Sequence, residues 1–145
     1  MVTQSKPWLG ILGVVAILML SACQTTSQVG PVGSWKALGD SANKNVKHEI
    51  DTQSIQKNGN VVTYRTRTVV DDIRLESLPN VPVFKTAVST YQMQCRERSY
   101  RILDTELYNQ QGVMINQQTF GHQVGYNLVT TGSAAKKQYD LVCPQ

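Results

Sequence analysis

The chain has 145 residues, is 41% apolar and 17% charged, and carries a formal net charge of +4. That length suits one small domain and excludes a (β/α)8 barrel or a two-domain dinucleotide-binding enzyme. The chain is too apolar and too weakly charged to be disordered, and its single long apolar run excludes a multi-span membrane protein.

That run lies at the amino end. Lys6 supplies a positive charge, and Trp8 to Leu20 is an almost unbroken apolar stretch of 13 residues. A spanning helix needs about 20. A charged start, a short apolar stretch and small residues before a break are the parts of a secretory signal. Leu20-Ser21-Ala22-Cys23 resembles the lipobox of bacterial lipoproteins. The resemblance implies cleavage before Cys23, a diacylglycerol thioether on its sulfur, and a further acyl chain on its freed amine. Each buried CH₂ contributes about 0.8 kcal/mol, and stable anchoring takes more than one chain. Gln24 stands where an Asp would signal inner-membrane retention, which implies the outer membrane. Residues 1–22 therefore read as a signal peptide. Without Lys6, 13 basic residues against 10 acidic leave a mild +3. Such a charge permits attraction to anionic lipid or polysaccharide.

Three cysteines in an exported chain leave an odd one. Lipid consumes Cys23, so Cys95 and Cys143 are expected to pair in the oxidising envelope. The bond closes a loop of about 49 residues, for which the chain-entropy model gives about 4 kcal/mol. There is no C-x-x-C spacing, and neither histidine has a second ligand at metal spacing. No metal and no cofactor is expected.

Residues 23–33 comprise the lipidated cysteine and a polar tether with Gly and Pro and no regular period. Residues 34–145 form one domain. Trp35–Leu38 alternates loosely and ends at Gly39-Asp40, a turn pair. Val46–Ile50 is another short strand. Asn58-Gly59 is a hairpin signal, followed by the β-branched run Val61–Val70, suited to a pleated surface. Residues 71–84 read as a long connection. Thr86–Arg96 alternates with Ala87, Ser89, Tyr91, Met93 and Cys95 on its more apolar face. Residues 98–108 continue as strand after a bend, Asn109–Gly112 turns, and Val113–Thr119 pairs back. After Gly132 the period changes. Ala135, Tyr139, Val142 and Cys143 share one helical face, with Ser133 as N-cap. The expected fold is α+β: a mostly antiparallel sheet of five or six strands with a C-terminal helix tethered to it by a disulfide.

From Trp35 to Cys143 the domain resembles the surface-adhesin protein E family of bacterial envelope lipoproteins. The resemblance rests on Trp35, Ile50-Asp51, Ser54-Ile55, Lys57-Asn58-Gly59-Asn60 and the strand at 61–70. It continues through Cys95 with Arg96, Arg98 and Arg101, then Tyr108 and the terminal helix with Cys143. It implies about six antiparallel strands, a C-terminal helix disulfide-bonded to them, and binding of host matrix and plasma proteins.

No G-x-S-x-G, phosphate-cradling glycine loop or paired catalytic carboxylates stand out, so no catalytic residue is assigned. His48 and Glu49 point to opposite faces of a strand, and His122 lies in a turn-like stretch. Arg65 and Arg67 share one strand face, and Arg96, Arg98 and Arg101 cluster on a later strand. Were those strands neighbours, the five would form a stripe for sulfated polysaccharide, lipid phosphate or acidic protein. The alternative is a solvated face whose arginines pair with Glu97 and Glu106. The compartment disfavours nucleic acid, and none is expected as a partner. Tyr64, Tyr91, Tyr100 and Tyr108 read as core or rim residues, and exposed strand edges permit pairing with a partner or a homodimer. The chain therefore reads as a non-enzymatic outer-membrane lipoprotein with a small binding domain. Its expected partners are the membrane through the lipid and host extracellular-matrix protein or anionic glycan. A periplasm-facing structural or assembly role is the alternative.

Overall fold

The computed structural model describes residues 30–76 and 79–143. The signal segment 1–22, Cys23 and residues 24–29 lie outside the described residues.

The long strands form where β-branched and aromatic residues alternate with polar ones. β4 (Val61–Val70), β5 (Thr86–Gln94) and β6 (Ser99–Tyr108) are the centre of one antiparallel sheet. In β4, Val62, Tyr64, Thr66 and Val70 are buried on one face. Tyr91 and Met93 of β5 share it, because Tyr64 pairs with Tyr91 and Val62 with Met93.

Each outer edge of this centre is covered in two pieces. β2 (Val46–Asp51) pairs with the second half of β4, and β3 (Gln56–Asn58) with its first half. β7 (Met114–Thr119) pairs with the second half of β6, and β8 (Asn127–Leu128) with its start. β1 (Trp35–Asp40) adds to β2. The main path is β1-β2-β4-β5-β6-β7, and the sheet curls into a half-barrel.

The strand count thus rises from the expected five or six to eight, of which β3 and β8 have only three and two residues. Segments that short carry no period to read. Gly39 and Asp40 do not form a turn: they continue β1 past a bulge that shifts the register between Ala37 and Gly39. The hairpin loop is Gly59-Asn60, since Asn58 pairs with Val61. Gly59 has φ +59°, as glycine does at the first loop position of a type II′ hairpin.

One helix, α1 (Ala134–Val142), closes the buried face. Ser133 caps it, its side chain accepting from the Lys136 backbone N–H. Nine residues are too few for an isolated helix to persist in water. Its stability comes from what it covers. Val142 and Cys143 pack with Ile50, Val62, Tyr64 and Met93, all nearly inaccessible. Burying each such side chain contributes about 1.5–3 kcal/mol relative to exposure. Tyr64, Tyr91 and Tyr100 stack in a ladder beneath, with ring centroids 5.8 Å apart at each step. The Tyr64 hydroxyl donates to Gln138 Oε1 at 2.8 Å, both residues being buried. Tyr139 donates to the Cys95 carbonyl at 3.1 Å. Cys95 and Cys143 form the expected disulfide, which joins the end of the helix to the turn after β5.

Tyr64→Phe removes the one donor to Gln138 Oε1 among the described residues and leaves that oxygen buried. The expected loss is about 1–3 kcal/mol in urea unfolding. An unchanged midpoint would show that the bond contributes nothing to stability.

Candidate functional site

α1 covers one face of the sheet. The opposite face is the candidate site. It carries Trp35 of β1, Glu49 and Asp51 of β2, Arg65 and Arg67 of β4, Thr90 of β5, and Arg101 and Glu106 of β6, aligned by strand register.

Arg65 and Arg67 do share this face. Their guanidinium carbons lie 5.5 Å and 4.5 Å from the Trp35 ring centroid, so one indole is stacked by two cations. Arg67 Nε donates to Glu49 Oε2 at 2.6 Å, and Arg65 Nη2 lies 3.8 Å from Asp51 Oδ2. Cross-strand register explains the first pair, because Glu49 stands opposite Arg67. Arg101 is on the same face, but β5 lies between its strand and β4. Its guanidinium donates to Gln92 Oε1 and the His122 carbonyl and stacks on Tyr126 at 4.5 Å.

Arg96 and Arg98 are not on a strand. They sit in the turn between β5 and β6, where Arg98 takes φ +50° and stacks on Tyr139 at 5.3 Å. Asn60 joins that turn to the β3–β4 hairpin, donating to Glu97 and accepting from the Arg96 backbone N–H. The five arginines therefore make two groups: Arg65, Arg67 and Arg101 on the open face, and Arg96 and Arg98 at one end of the sheet. Among the described residues, neither Glu97 nor Glu106 pairs with an arginine. Glu106 instead accepts from Tyr108 at 2.6 Å. Burial, then this bond, pushes the Tyr108 phenol up to about 12, so it stays a donor.

The chain enters the domain across this same face. The Arg65 Nη2 group donates to the Val32 carbonyl at 2.9 Å, and Trp35 Nε1 to the Pro31 carbonyl at 3.3 Å. Ser34 N–H donates to Asp51 Oδ1 at 2.9 Å. Gly33 is required by closeness: a Cβ there would meet Asp51 Oδ2 at 2.8 Å and the Trp35 ring at 2.9 Å. Gly30 then lies in a cleft with Arg67, Lys85, Thr86 and Tyr108.

The two lateral edges differ. β1 carries Lys36, Asp40 and a bulge, features that discourage pairing. β7 reads MINQQT, all six residues exposed, and its outer side is unpaired among the described residues. Val113, Met114 and Ile115 are 57%, 49% and 40% exposed. Between Glu106 and Lys136 the sequence holds no Asp, Glu, Lys or Arg. That gap was legible in the sequence, and the Trp35 stack with its Glu49 partner was not. The stack unites three strands, and no local spacing signals it.

Among the described residues, no group of His, Cys, Asp and Glu is placed to hold a metal ion. No helix among them is long and apolar enough to cross a membrane.

The family profile described as surface-adhesin protein E matches residues 35–144. The chain belongs to the surface-adhesin protein E family. A comparison with curated proteins finds no match. The family match spans every strand and the helix, so the Trp35 stack, the disulfide and the β7 edge all lie inside the adhesin E domain.

His48 and Glu49 do point to opposite faces. His48 stands across from Thr68 on the helix side, and burial, then the charge of Lys137, lower its pKa from 6.5, with Asp40 opposing. The unfolded chain therefore takes the proton first as pH falls. Stability contributed by neutral His48 is full above pH 6.5 and is lost as pH drops toward the lower folded value. The unfolding midpoint is expected to fall across this range, and His48→Gln to flatten that fall. An equal fall in the variant would place the titration elsewhere.

Proposed function

We propose that this chain is an outer-membrane lipoprotein whose non-enzymatic adhesin E domain binds host matrix or plasma proteins. The observation that carries the reading is the family match over residues 35–144. The Leu20-Ser21-Ala22-Cys23 sequence supports acylation at Cys23 after loss of residues 1–22, and Gln24 supports the outer membrane. The family also supports placement at the cell surface.

The surface best suited to a protein partner is the β7 edge. An extended segment laid along it would complete the free backbone groups, and Met114 and Ile115 would add apolar contact. The absence of charge from Leu107 to Ala135 fits an uncharged segment. A second copy of the chain could occupy the same edge as a homodimer. The arginines of the open face suit an anionic glycan less well, because Arg67 and Arg101 are already held by Glu49 and Gln92.

A second reading is a periplasm-facing structural or assembly lipoprotein. It is favoured by the short stretch between Cys23 and Gly30, which keeps the domain near its lipid. Protease shaving of intact cells separates the two: cleavage of the domain supports surface exposure, and full protection supports the periplasmic role.

Purified residues 23–145 are expected to bind immobilised extracellular matrix saturably. Ile115→Lys should weaken that binding about tenfold while leaving the unfolding free energy within about 0.5 kcal/mol, as for an exposed surface position. Sedimentation of both forms reports whether a second copy uses the edge. Matrix binding unaffected by the charged edge would remove β7 from the contact.

A further inference from the structure

We infer that the cavity under the connection between β4 and β5 receives one ring-sized apolar side chain of a protein partner, with a lysine or arginine next to it in the same segment. This is a second contact besides the β7 edge. It rests on the adhesin reading only in taking the partner to be a protein.

Val70 is 2% exposed, yet it is not in the cluster beneath α1. It stands on the same sheet face as Tyr64, and its partner Val46 stands there with it, at the end of β4 away from the disulfide. The connection folds over this end. Asn45, 6% exposed, fixes its first part. The Asn45 carbonyl and Oδ1 accept from the Asp71 and Asp72 N–H groups, each at 2.7 Å. Asn45 Nδ2 donates to the Asp72 carbonyl at 3.1 Å and to Glu76 Oε1 at 2.9 Å. The returning stretch 81–84 does not close down as a strand, since Pro82 has no N–H for a ladder.

A cavity of about 140 Å³ remains, floored by Val46, Thr68 and Val70 and walled by residues 81–84. Thr68 Oγ1 is turned to His48 Nδ1 at 3.4 Å. Among the described residues, Glu76 is the one charged side chain in the lining.

Size, surface and charge choose the occupant. An apolar cavity of about 150 Å³ holds a benzene ring, and sites for whole small ligands take roughly 300–1,000 Å³. One ring therefore fits here, and a larger ligand does not. Val81 and Val83, 38% and 58% exposed, carry apolar surface beyond the cavity. A small molecule buried inside would leave that surface wet, whereas a peptide segment crossing it covers it. Of the carboxylates on the connection, Asp71 has Lys85 at 4.0 Å and Asp72 has Arg74 at 2.6 Å. No ion pair among the described residues includes Glu76. Its charge favours a cationic neighbour for the anchor and disfavours the carboxylate of a fatty acid.

The test is an NMR titration of isotope-labelled residues 23–145 with the blocked peptides GGFKGG, GGAKGG and GGFEGG. GGFKGG is expected to shift the amides of Val46, Val70, Val83 and Phe84 saturably, with half-saturation at about 1 mM, the range of a single anchor residue. GGAKGG should bind at least about tenfold more weakly, for the loss of one buried ring. GGFEGG should bind about threefold more weakly, the scale of one exposed ion pair. Glu76→Gln keeps an oxygen for Asn45 and should bind GGFKGG and GGFEGG alike. No saturable shift at these amides, or equal shifts from GGFKGG and GGAKGG, overturns the cavity as an anchor site. A preference for GGFKGG over GGFEGG that survives Glu76→Gln overturns the role of the carboxylate. Benzylamine binding as tightly as GGFKGG would assign the cavity to a small amine, and shifts at these amides on concentrating the chain alone would assign it to a second copy. Either result overturns the peptide segment. No matrix protein enters the titrations, so their failure is separate from failure of matrix binding.

Discussion

The bond between Cys95 and Cys143 and the burial of Tyr64 beneath α1 are one device, and the remaining architecture follows from it. A nine-residue helix with polar residues on most of its surface has too little helix-forming tendency to persist alone. The sheet has one face too apolar to leave wet, with Ile50, Val62, Tyr64 and Met93 in a single patch. Each needs the other. The disulfide reduces the entropy of bringing them together, and the Tyr64–Gln138 and Tyr139–Cys95 hydrogen bonds fix how the helix lies.

Closing one face leaves the other to polar chemistry. There the pleat places Trp35, Arg65, Arg67, Glu49 and Asp51 in mutual contact from three strands. Each arginine is stabilised by the π face of the indole and by a carboxylate. Trp35, Arg65 and Asp51 of that set also hold residues 31–34 across the sheet. Arg65, which looks like part of a ligand site when read along the sequence, is first a means of directing the chain's entry. The uncharged stretch from Leu107 to Ala135 leaves β7 as the edge open to a partner.

Legibility in the sequence followed the range of the interaction that decides each feature. Thr86–Gln94 and Ala134–Val142 were readable because period and capping are local, and Ser133 does cap the helix. The disulfide was readable from cysteine parity, since Cys23 has its own expected chemistry. β3 and β8 were not readable. Three and two residues become strands only because β4 and β6 have free edges beside them. Gly39-Asp40 has the composition of a turn, yet pairing with His48 and Lys47 keeps it in β1. The proposed arginine stripe failed on topology. β5 intervenes between β4 and β6, and Arg96 and Arg98 fall in the turn that joins β5 to β6. Glu49 as the partner of Arg67 could have been proposed only with the β2–β4 register in hand.

The central claim is that α1 is held by its sulfur link and by the floor it covers, not by its own helical tendency. Native-state amide exchange of the oxidised protein and of the same protein after gentle reduction tests this directly. The loop closed by a separation of 48 residues is expected to contribute about 4 kcal/mol. On reduction, the amides of residues 137–143 should exchange faster by orders of magnitude, while those at the centre of β4 and β5 remain the slowest in the molecule. Helix amides that keep their oxidised protection after reduction would contradict the account.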